Sequence, residues 1–403
     1  MQIAQHGLMR STNTIFILEN IRDYGPITKR EIQERTGLSW GAVSNITGDL
    51  LRKKVISEFK SADSLVGRTP AMLDINNTEN LVIGLEVNAE GINTVLTDIK
   101  CRVLKKINSP VLVNEKNEIL KQMKSIIHKI IVTSEINTDK LLGIGVAMQG
   151  SVNAEEGISV YSPYFNDWKD VPLGKILSDE FNVPVFVEHD PNCMALSEKR
   201  FGVAKDIKSF LFVRLSMGIG MSIITDGNIF RGADGSAGEF GHIIINPGGP
   251  RCSCGNYGCL EAYASGRSII QKVTEGIGLG KIPEIQGDFS NWGSIDIAFC
   301  AELAQKGDPF TKMLFADAGV YLGIGISNLI NIFNPELIIL GGELARHSSL
   351  FIEKTRVIAK EKTWRNSRIN LVISKCPDDS AAIGATLLII QKIFMGEIKD
   401  IIT

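Results

Sequence analysis

Three cysteines fall within eight residues, Cys252, Cys254 and Cys259, and His242 stands ten positions upstream of the first. Three thiolates and one imidazole form a soft ligand set that suits a tetrahedral structural zinc. The spacing puts Cys252 and Cys254 on one tight turn, and Gly255 and Gly258 let the loop fold back to present Cys259. A closed set of four leaves no position for a metal-bound water, so this zinc staples the fold and does not react. The competing reading is three unrelated core thiols. The other four cysteines, Cys101, Cys193, Cys300 and Cys376, are scattered through apolar surroundings. An odd count with a tight cluster argues for metal and against a disulfide framework. The opening residues MQIAQHGLMRSTN lack the apolar core of a signal peptide, so a cytoplasmic protein is expected. No stretch approaches the run of about 20 apolar residues that a membrane helix needs, so no membrane partner is expected.

The 403 residues allow two or three domains with sizeable cores. From Leu81 onward, strand candidates alternate with helices: LVIGLEV, GINTVLTDI and CRVLKKI, a helix over 117–133, then strands at Leu141, Val185, Phe210 and Gly220. Helices follow near 265–274, 295–306 and 309–333, then a strand at 337–340. This alternation predicts an α/β architecture with mixed sheets. The polar run at 76–80 predicts a linker, dividing a domain over 1–75 from one over 81–403. The net charge of −2 says nothing about nucleic acid, but residues 1–75 hold ten basic against eight acidic residues. That tilt is compatible with DNA and no more.

The N-terminal region has the features of a winged helix-turn-helix. A helix over 15–24 ends at Gly25-Pro26, and Thr28-Lys-Arg-Glu31 forms a capping-box pattern for a second helix to about Thr36. Gly37 supplies the left-handed turn, and Ser39 caps a third helix reaching about Lys53. Ile32, Leu38 and Val43 close a small core. Ser39, Ser44, Asn45, Thr47 and Trp40 are then expected on the exposed face of the third helix, beside Gly41 and Ala42, with Thr28 at the head of the second. Hydroxyls and amides there suit phosphate and base-edge contacts in double-stranded DNA. Strands at 55–59 and 70–75 predict the wing. Its loop carries Gly67-Arg68-Thr69-Pro70, where Arg68 suits a narrow minor groove; a plain hairpin tip or an interdomain hinge is the alternative.

The block Gly238–Ser265, GEFGHIIINPGGPRCSCGNYGCLEAYAS, closely resembles the signature of the ROK family of repressors, open reading frames and kinases. Among members the chain looks most like the repressor branch that responds to N-acetylglucosamine or xylose, because the kinases lack the N-terminal 75 residues. The resemblance implies a two-lobed, actin-like or ribonuclease-H-like domain with a sugar between its lobes. It also implies an even-numbered oligomer, a homodimer or homotetramer. Carried over by position, Asp190 matches the aspartate that the kinases use as general base, and Glu239, His242 and Glu261 match sugar-contacting residues. Gly150 matches the Pro-Gly turn at the sugar, with Gln149 replacing the proline; His189 stands where Asn is usual and Tyr164 where Asn is frequent. His242 would then hold zinc with one ring nitrogen and address the sugar with the other.

Kinases of this family begin with Asp-Ile-Gly-Gly-Thr-Lys, whose amides and hydroxyl hold ATP phosphates. Here the matching stretch is Glu86-Val87-Asn88-Ala89-Glu90-Gly91. Both glycines are gone, which hinders close backbone approach. Glu90 also sets a like charge against phosphate, costing roughly several kcal/mol in a poorly solvated site. Two functions follow. The expected one is a sugar-responsive, DNA-binding transcriptional regulator, a repressor of carbohydrate-utilisation genes without phosphotransfer. The alternative is a sugar kinase with an appended DNA-binding domain.

Overall fold

The structure is a computed structural model that describes residues 2–60, 71–76, 80–282, 295–365 and 368–394. The chain forms two compact units: residues 1–193 with 379–403, and residues 194–378. The N-terminal elements fall in the first unit together with the sheet that follows them.

The first unit opens with helix α1 (Gln2–Tyr24), which starts earlier than its apolar spacing suggested, and short strand β1 (Ile27–Thr28). Helices α2 (Lys29–Thr36) and α3 (Trp40–Arg52) follow, then strands β2 (Ile56–Lys60) and β3 (Ala71–Ile75). The strands pair antiparallel in the order β1-β3-β2, with Ile56 opposite Ile75. Ile17, Leu18, Ile21, Ile32, Val43, Leu50, Ile56 and Leu73 supply the buried side chains of this module. This is the element order of a winged helix-turn-helix, as its capping residues predicted.

Strands β4 (Leu81–Val87), β5 (Gly91–Asp98) and β6 (Val103–Pro110) come next, then α4 (Lys116–Thr133) and β7 (Leu141–Met148). A small antiparallel sheet of β8 (Ser151–Asn153), β9 (Ile158–Tyr161) and β10 (Lys169–Val171) leads to α5 (Leu173–Phe181), β11 (Val185–His189) and α6 (Asp190–Phe201). The second unit holds β12 (Phe210–Leu215), β13 (Ile219–Thr225), β14 (Asn228–Ile229), α7 (Glu261–Ala264), α8 (Gly266–Gly278), α9 (Ile297–Lys306), α10 (Pro309–Phe333), β15 (Ile338–Gly341), α11 (Ile352–Lys362) and β16 (Leu371–Ile373). Helix α12 (Ser380–Phe394) returns to the first unit.

The two units carry the same five-stranded sheet. In the first the order is β11-β7-β4-β5-β6, in the second β14-β13-β12-β15-β16. In each, the first strand in sequence pairs antiparallel with the second and parallel with the fourth, which pairs parallel with the fifth. No repeat is visible in the sequence, because what recurs is pairing order and not residue identity.

Each layer follows from its pattern. Helix α4 buries Ile119, Met123, Ile126, Ile127, Ile130 and Ile131, a stripe at helical spacing. These side chains meet Leu81, Ile83, Leu85 and Val87 of β4 in one core. The opposite face of β4 meets α12, and there the backbones nearly touch. A Cβ at Gly84 would lie 2.0 Å from the Ala382 carbonyl oxygen, and one at Gly145 1.9 Å from that of Ala385. In the second unit α10 lies in the core through Leu314, Phe315, Ala318, Leu322, Ile326 and Leu329. The sequence reading underestimated this helix: at 25 residues and a mean hydropathy of 1.5 it is long and apolar enough to cross a membrane. Here 61% of its most apolar window is buried inside the protein, the pattern of a core helix.

The helix–sheet contact predicts that Gly145→Ala, one added methyl group, destabilises the protein by about 3 kcal/mol or prevents folding, since the atom it meets is backbone. Urea unfolding followed by far-ultraviolet circular dichroism measures the change. A loss below about 0.5 kcal/mol would show that the close approach is wrong.

Candidate functional site

Three groups of residues carry chemistry, one in the N-terminal module and one in each sheet-bearing part of the chain. In the module, the Thr28 side chain accepts from the Glu31 N–H at 3.2 Å, while Glu31 Oε2 accepts from the Thr28 N–H and hydroxyl at 2.8 Å each. The capping box is complete, and these bonds from Thr28 hold the Glu31 carboxyl below its ordinary range. Thr28 is thereby engaged in capping. Gly37 closes α2 in the left-handed region at φ +68°, its N–H donating to the Gln33 carbonyl at 2.9 Å. Ser39 caps α3 by accepting from the Ala42 N–H at 3.3 Å.

Helix α3 buries Val43, Ile46, Thr47 and Leu50 and leaves Trp40 52% exposed, with Gly41 and Asn45 exposed and Ala42 and Ser44 half-buried. Thr47 corrects the sequence reading. It is fully buried, and its hydroxyl donates back to the Val43 carbonyl at 2.8 Å, so it belongs to the core. Arg68 lies outside the described residues.

In the second unit, His242 ends a 3-10 turn (Phe240–His242) and faces the cysteine loop. The Cys252 sulfur lies 3.6 Å from His242 Nδ1, and those of Cys254 and Cys259 are 3.7 Å apart. All four ligand atoms lie within 4.8 Å of one another. A tetrahedral site with Zn–S of about 2.3 Å and Zn–N of about 2.0 Å separates its ligand atoms by roughly 3.5–3.8 Å, so the residues fit that metal. A disulfide needs about 2.05 Å between sulfurs, so 3.7 Å excludes one between Cys254 and Cys259. Burial pushes the Cys259 thiol up to about 12 without a cation; a thiolate there requires a positive partner.

The loop is built for this convergence. The Cys252 N–H donates to the Asn256 carbonyl at 2.8 Å, and Gly258, at φ +76°, passes so close to Asn246 that a Cβ would lie 1.7 Å from its carbonyl oxygen. Glu261 ties the loop to the sheet. One carboxylate oxygen accepts from the Ser253 hydroxyl at 3.2 Å, the other from the Ile219 N–H of β13 at 2.9 Å. Glu239 is exposed, 4.0 Å from His242 Nε2, the ring nitrogen turned away from Cys252. His242, Glu239, Glu261 and the three cysteines thus form one contiguous group.

In the first unit, Val87, Met148 and His189 end the parallel strands β4, β7 and β11, with Met148 opposite both Val87 and His189. The residues just beyond these ends, Asn88, Gln149 and Asp190, therefore gather at the carboxyl edge of one sheet, where open α/β sheets place ligand sites. Asp190 is 1% exposed, and its Oδ1 lies 3.5 Å from His189 Nε2. Gly150, at φ +107°, has no room for a Cβ, which would meet the Tyr161 carbonyl oxygen at 2.2 Å. Two residues here escaped the sequence reading. Buried Glu188 accepts from the His189 N–H and the Asn192 amide, both at 2.9 Å, and so orients the strand end that carries Asp190. Asn88 organises the neighbouring turn.

The resemblance matches that turn to the kinase phosphate loop, and its amides are engaged within the protein. The Ala89 N–H donates to Gln149 Oε1 at 3.2 Å, and those of Glu90 and Gly91 donate to Asn88 Oδ1 at 2.9 and 3.0 Å. Asn88 is anchored in turn, its Nδ2 donating to Glu86 Oε1 at 3.2 Å. In the second unit, Gly341 at the end of β15 and Gly342 after it are required by packing: Cβ atoms would meet the Phe212 ring at 2.4 Å and the Leu215 carbonyl oxygen at 2.5 Å.

The chain resembles known proteins over its whole length. The ROK family pattern matches residues 82–392. The xylose repressor of Bacillus subtilis strain 168 is 30% identical over 97% of this chain and 98% of its own. The N-acetylglucosamine repressor of Escherichia coli O157:H7 is 29% identical over 98% and 96%. Among solved structures, a ROK family transcriptional regulator homologous to the E. coli MLC protein aligns at a TM-score of 0.82 and 28% identity, covering 98% of this chain and 99% of that one. A ROK hexokinase from Thermus thermophilus aligns at 0.63 and 27% identity, covering 78% of this chain and all of that one.

The cysteine geometry predicts about one equivalent of zinc per chain in metal analysis of protein purified without chelator. Cys259→Ser should lower that to below about 0.2 and reduce the melting temperature by several degrees, because structural zinc adds folding free energy. A variant with full zinc content would show that these residues are not the ligands.

Proposed function

The chain belongs to the ROK family, and from that membership we propose that it is a sugar-responsive, DNA-binding transcriptional regulator with no phosphotransfer activity. It would act in the cytoplasm as an even-numbered homo-oligomer on double-stranded operator DNA. The observation that carries the reading is the engaged turn at 88–91. Phosphate-binding loops work by offering free backbone N–H groups to the ligand. Here Asn88 and Gln149 occupy three consecutive amides, and Glu90 adds a negative charge. The match of a regulator to 98% of the chain, against 78% for a kinase, supports the same reading.

In this proposal Ser39, Trp40, Gly41, Ala42, Ser44 and Asn45 of α3 and its cap contact the duplex, with Thr28 and Arg68 beside them. For sugar contacts the family resemblance offers Gln149, Gly150, His189 and Asp190, at the carboxyl edge of the first sheet, and Glu239, His242 and Glu261, beside the cysteine loop. The Ala89 N–H takes Gln149 Oε1, which leaves the Gln149 amide N–H groups for a sugar oxygen. Asp190 is kept as an acceptor for a sugar hydroxyl, not as a base. Zinc, held by His242, Cys252, Cys254 and Cys259, would keep the loop that carries Glu261 and orient His242 toward the ligand. Sugar binding would favour one arrangement of the DNA-reading modules over another, and the differential affinity, typically about 1–3 kcal/mol, sets the strength of the response.

A ligand that binds only the folded state raises its melting temperature by mass action. We expect one sugar among pentoses, hexoses and N-acetylated hexoses to raise it by about 3 °C or more at millimolar concentration, and Mg-ATP to leave it unchanged. Asp190→Asn should abolish the sugar shift. A shift with ATP, or one requiring ATP and sugar together, would favour the kinase reading and overturn this one.

A further inference from the structure

The DNA-reading module is fastened to the first sheet at the ends of two of its helices. Helix α1 stops at Tyr24, where the Gly25 N–H donates to the Ile21 carbonyl at 2.8 Å. The last carbonyls of a helix lack internal partners and carry the negative end of its dipole, so a cation is favourable there. Lys100, from the turn between β5 and β6, supplies it. Its ammonium donates to the Gly25 carbonyl at 3.1 Å and pairs with Asp74 on β3. Both side chains of that pair are nearly buried, 12% and 16% exposed.

The turn that presents Lys100 is tied by its own hydrogen bonds. Asp98, fully buried, accepts from the Lys100 and Arg102 N–H groups at 2.9 and 3.0 Å and from Arg102 Nε at 2.6 Å. Cys101 completes the turn in the left-handed region at φ +62°, which a non-glycine residue adopts only when its surroundings impose it. A second fastening lies past the end of α3, where Asn80 Nδ2 donates to the Lys54 carbonyl at 3.2 Å and to that of Asn76 at 3.1 Å. The helix that reads DNA is thus referenced to the sheet twice, through its own end and through β3.

We propose that Lys100 is a positioning residue for DNA recognition: its bonds to Asp74 and Gly25 fix the module's orientation on the sheet and so the spacing of paired modules in the oligomer. This rests on the DNA-binding reading above. Helix-turn-helix dimers read two half-sites at a set separation, so a module free to swivel keeps its half-site contacts and loses the advantage of the pair. Removing one member of a buried ion pair leaves the other charge without its partner, which is the condition for local release.

Full-length wild type, Lys100→Met and the conservative Lys100→Arg would be compared by hydrogen exchange without sugar or DNA. Lys100→Met should speed exchange at least tenfold at 25–28 and 72–75 while leaving 81–98 and 141–148 unchanged, and Lys100→Arg, which keeps a cationic donor, should recover protection. On a two-site duplex selected from a random pool with wild-type protein, Lys100→Met should bind at least tenfold more weakly, yet equal wild type on a single half-site. Unchanged exchange, or equal losses on both duplexes, overturns the proposal; loss of protection throughout the first unit assigns Lys100 to folding and overturns it too. Failure to select any duplex would count against the DNA-binding reading, and the exchange comparison would still decide the fastening.

Discussion

The contact on which the first unit depends is the backbone-to-backbone packing of α12 on the sheet. Gly84 and Gly145 sit where a methyl group would enter the Ala382 and Ala385 carbonyls, and Gly384 meets the Cys193 carbonyl in the same way. Glycine is usually a cost within a strand; here it permits an approach no other residue could make. The contact returns the chain's end to its beginning after the second unit, so a fragment ending before residue 379 lacks one cover of the β4–β7–β11 sheet. That sheet aligns the ends of its parallel strands, and their alignment brings Asn88, Gln149 and Asp190 together. The chemistry at that edge follows from the packing beneath it.

At the same edge the turn at 88–91 has its backbone amides bonded within the protein, the feature on which the proposed absence of nucleotide chemistry rests. Asn88 and Gln149 supply from within the protein the acceptors that phosphate oxygens would supply from outside. The turn keeps its shape because its amides remain satisfied, as buried backbone groups must. In the proposed reading Asp190 binds without acting as a base, because a carboxylate that could deprotonate a hydroxyl can equally accept a hydrogen bond from one. Glu261 has an analogous double use in the second unit, bonded at once to Ser253 of the cysteine loop and to Ile219 of β13. Removing its carboxylate would release that loop from the sheet as well as alter the proposed sugar contacts.

Much of this was legible in the sequence, for reasons that are local. Caps and turns depend on neighbours a few residues away, so Thr28 with Glu31, Gly37 and Ser39 placed α2 and α3 nearly to the residue. The convergence of His242, Cys252, Cys254 and Cys259 was legible because soft donors at that density are rare. What the sequence hid depends on distant partners. Thr47 was assigned outward by its polarity, but on α3 it shares a face with Val43 and Leu50, and its hydroxyl is satisfied by the Val43 carbonyl one turn back. Helix α12 is buried almost all round from Ser380 to Ile390, so it has no apolar stripe to mark it. Asn88 and Glu188 act through bonds that exist only once strands are paired and turns closed. The repeated sheet order of the two units is a property of pairing and leaves no mark in spacing or composition.

The central claim is that one chain joins sugar recognition to DNA recognition without phosphotransfer. The most direct test is fluorescence anisotropy of a labelled duplex, selected from a random pool, titrated with full-length protein with and without the sugar that raises its melting temperature. A coupling of 1–3 kcal/mol changes the apparent affinity about 5- to 150-fold, and the account predicts weakening in that range, unaltered by adding Mg-ATP. An affinity for the duplex that is indifferent to every sugar tested, or a response that appears only with Mg-ATP and yields a phosphorylated sugar, would contradict it.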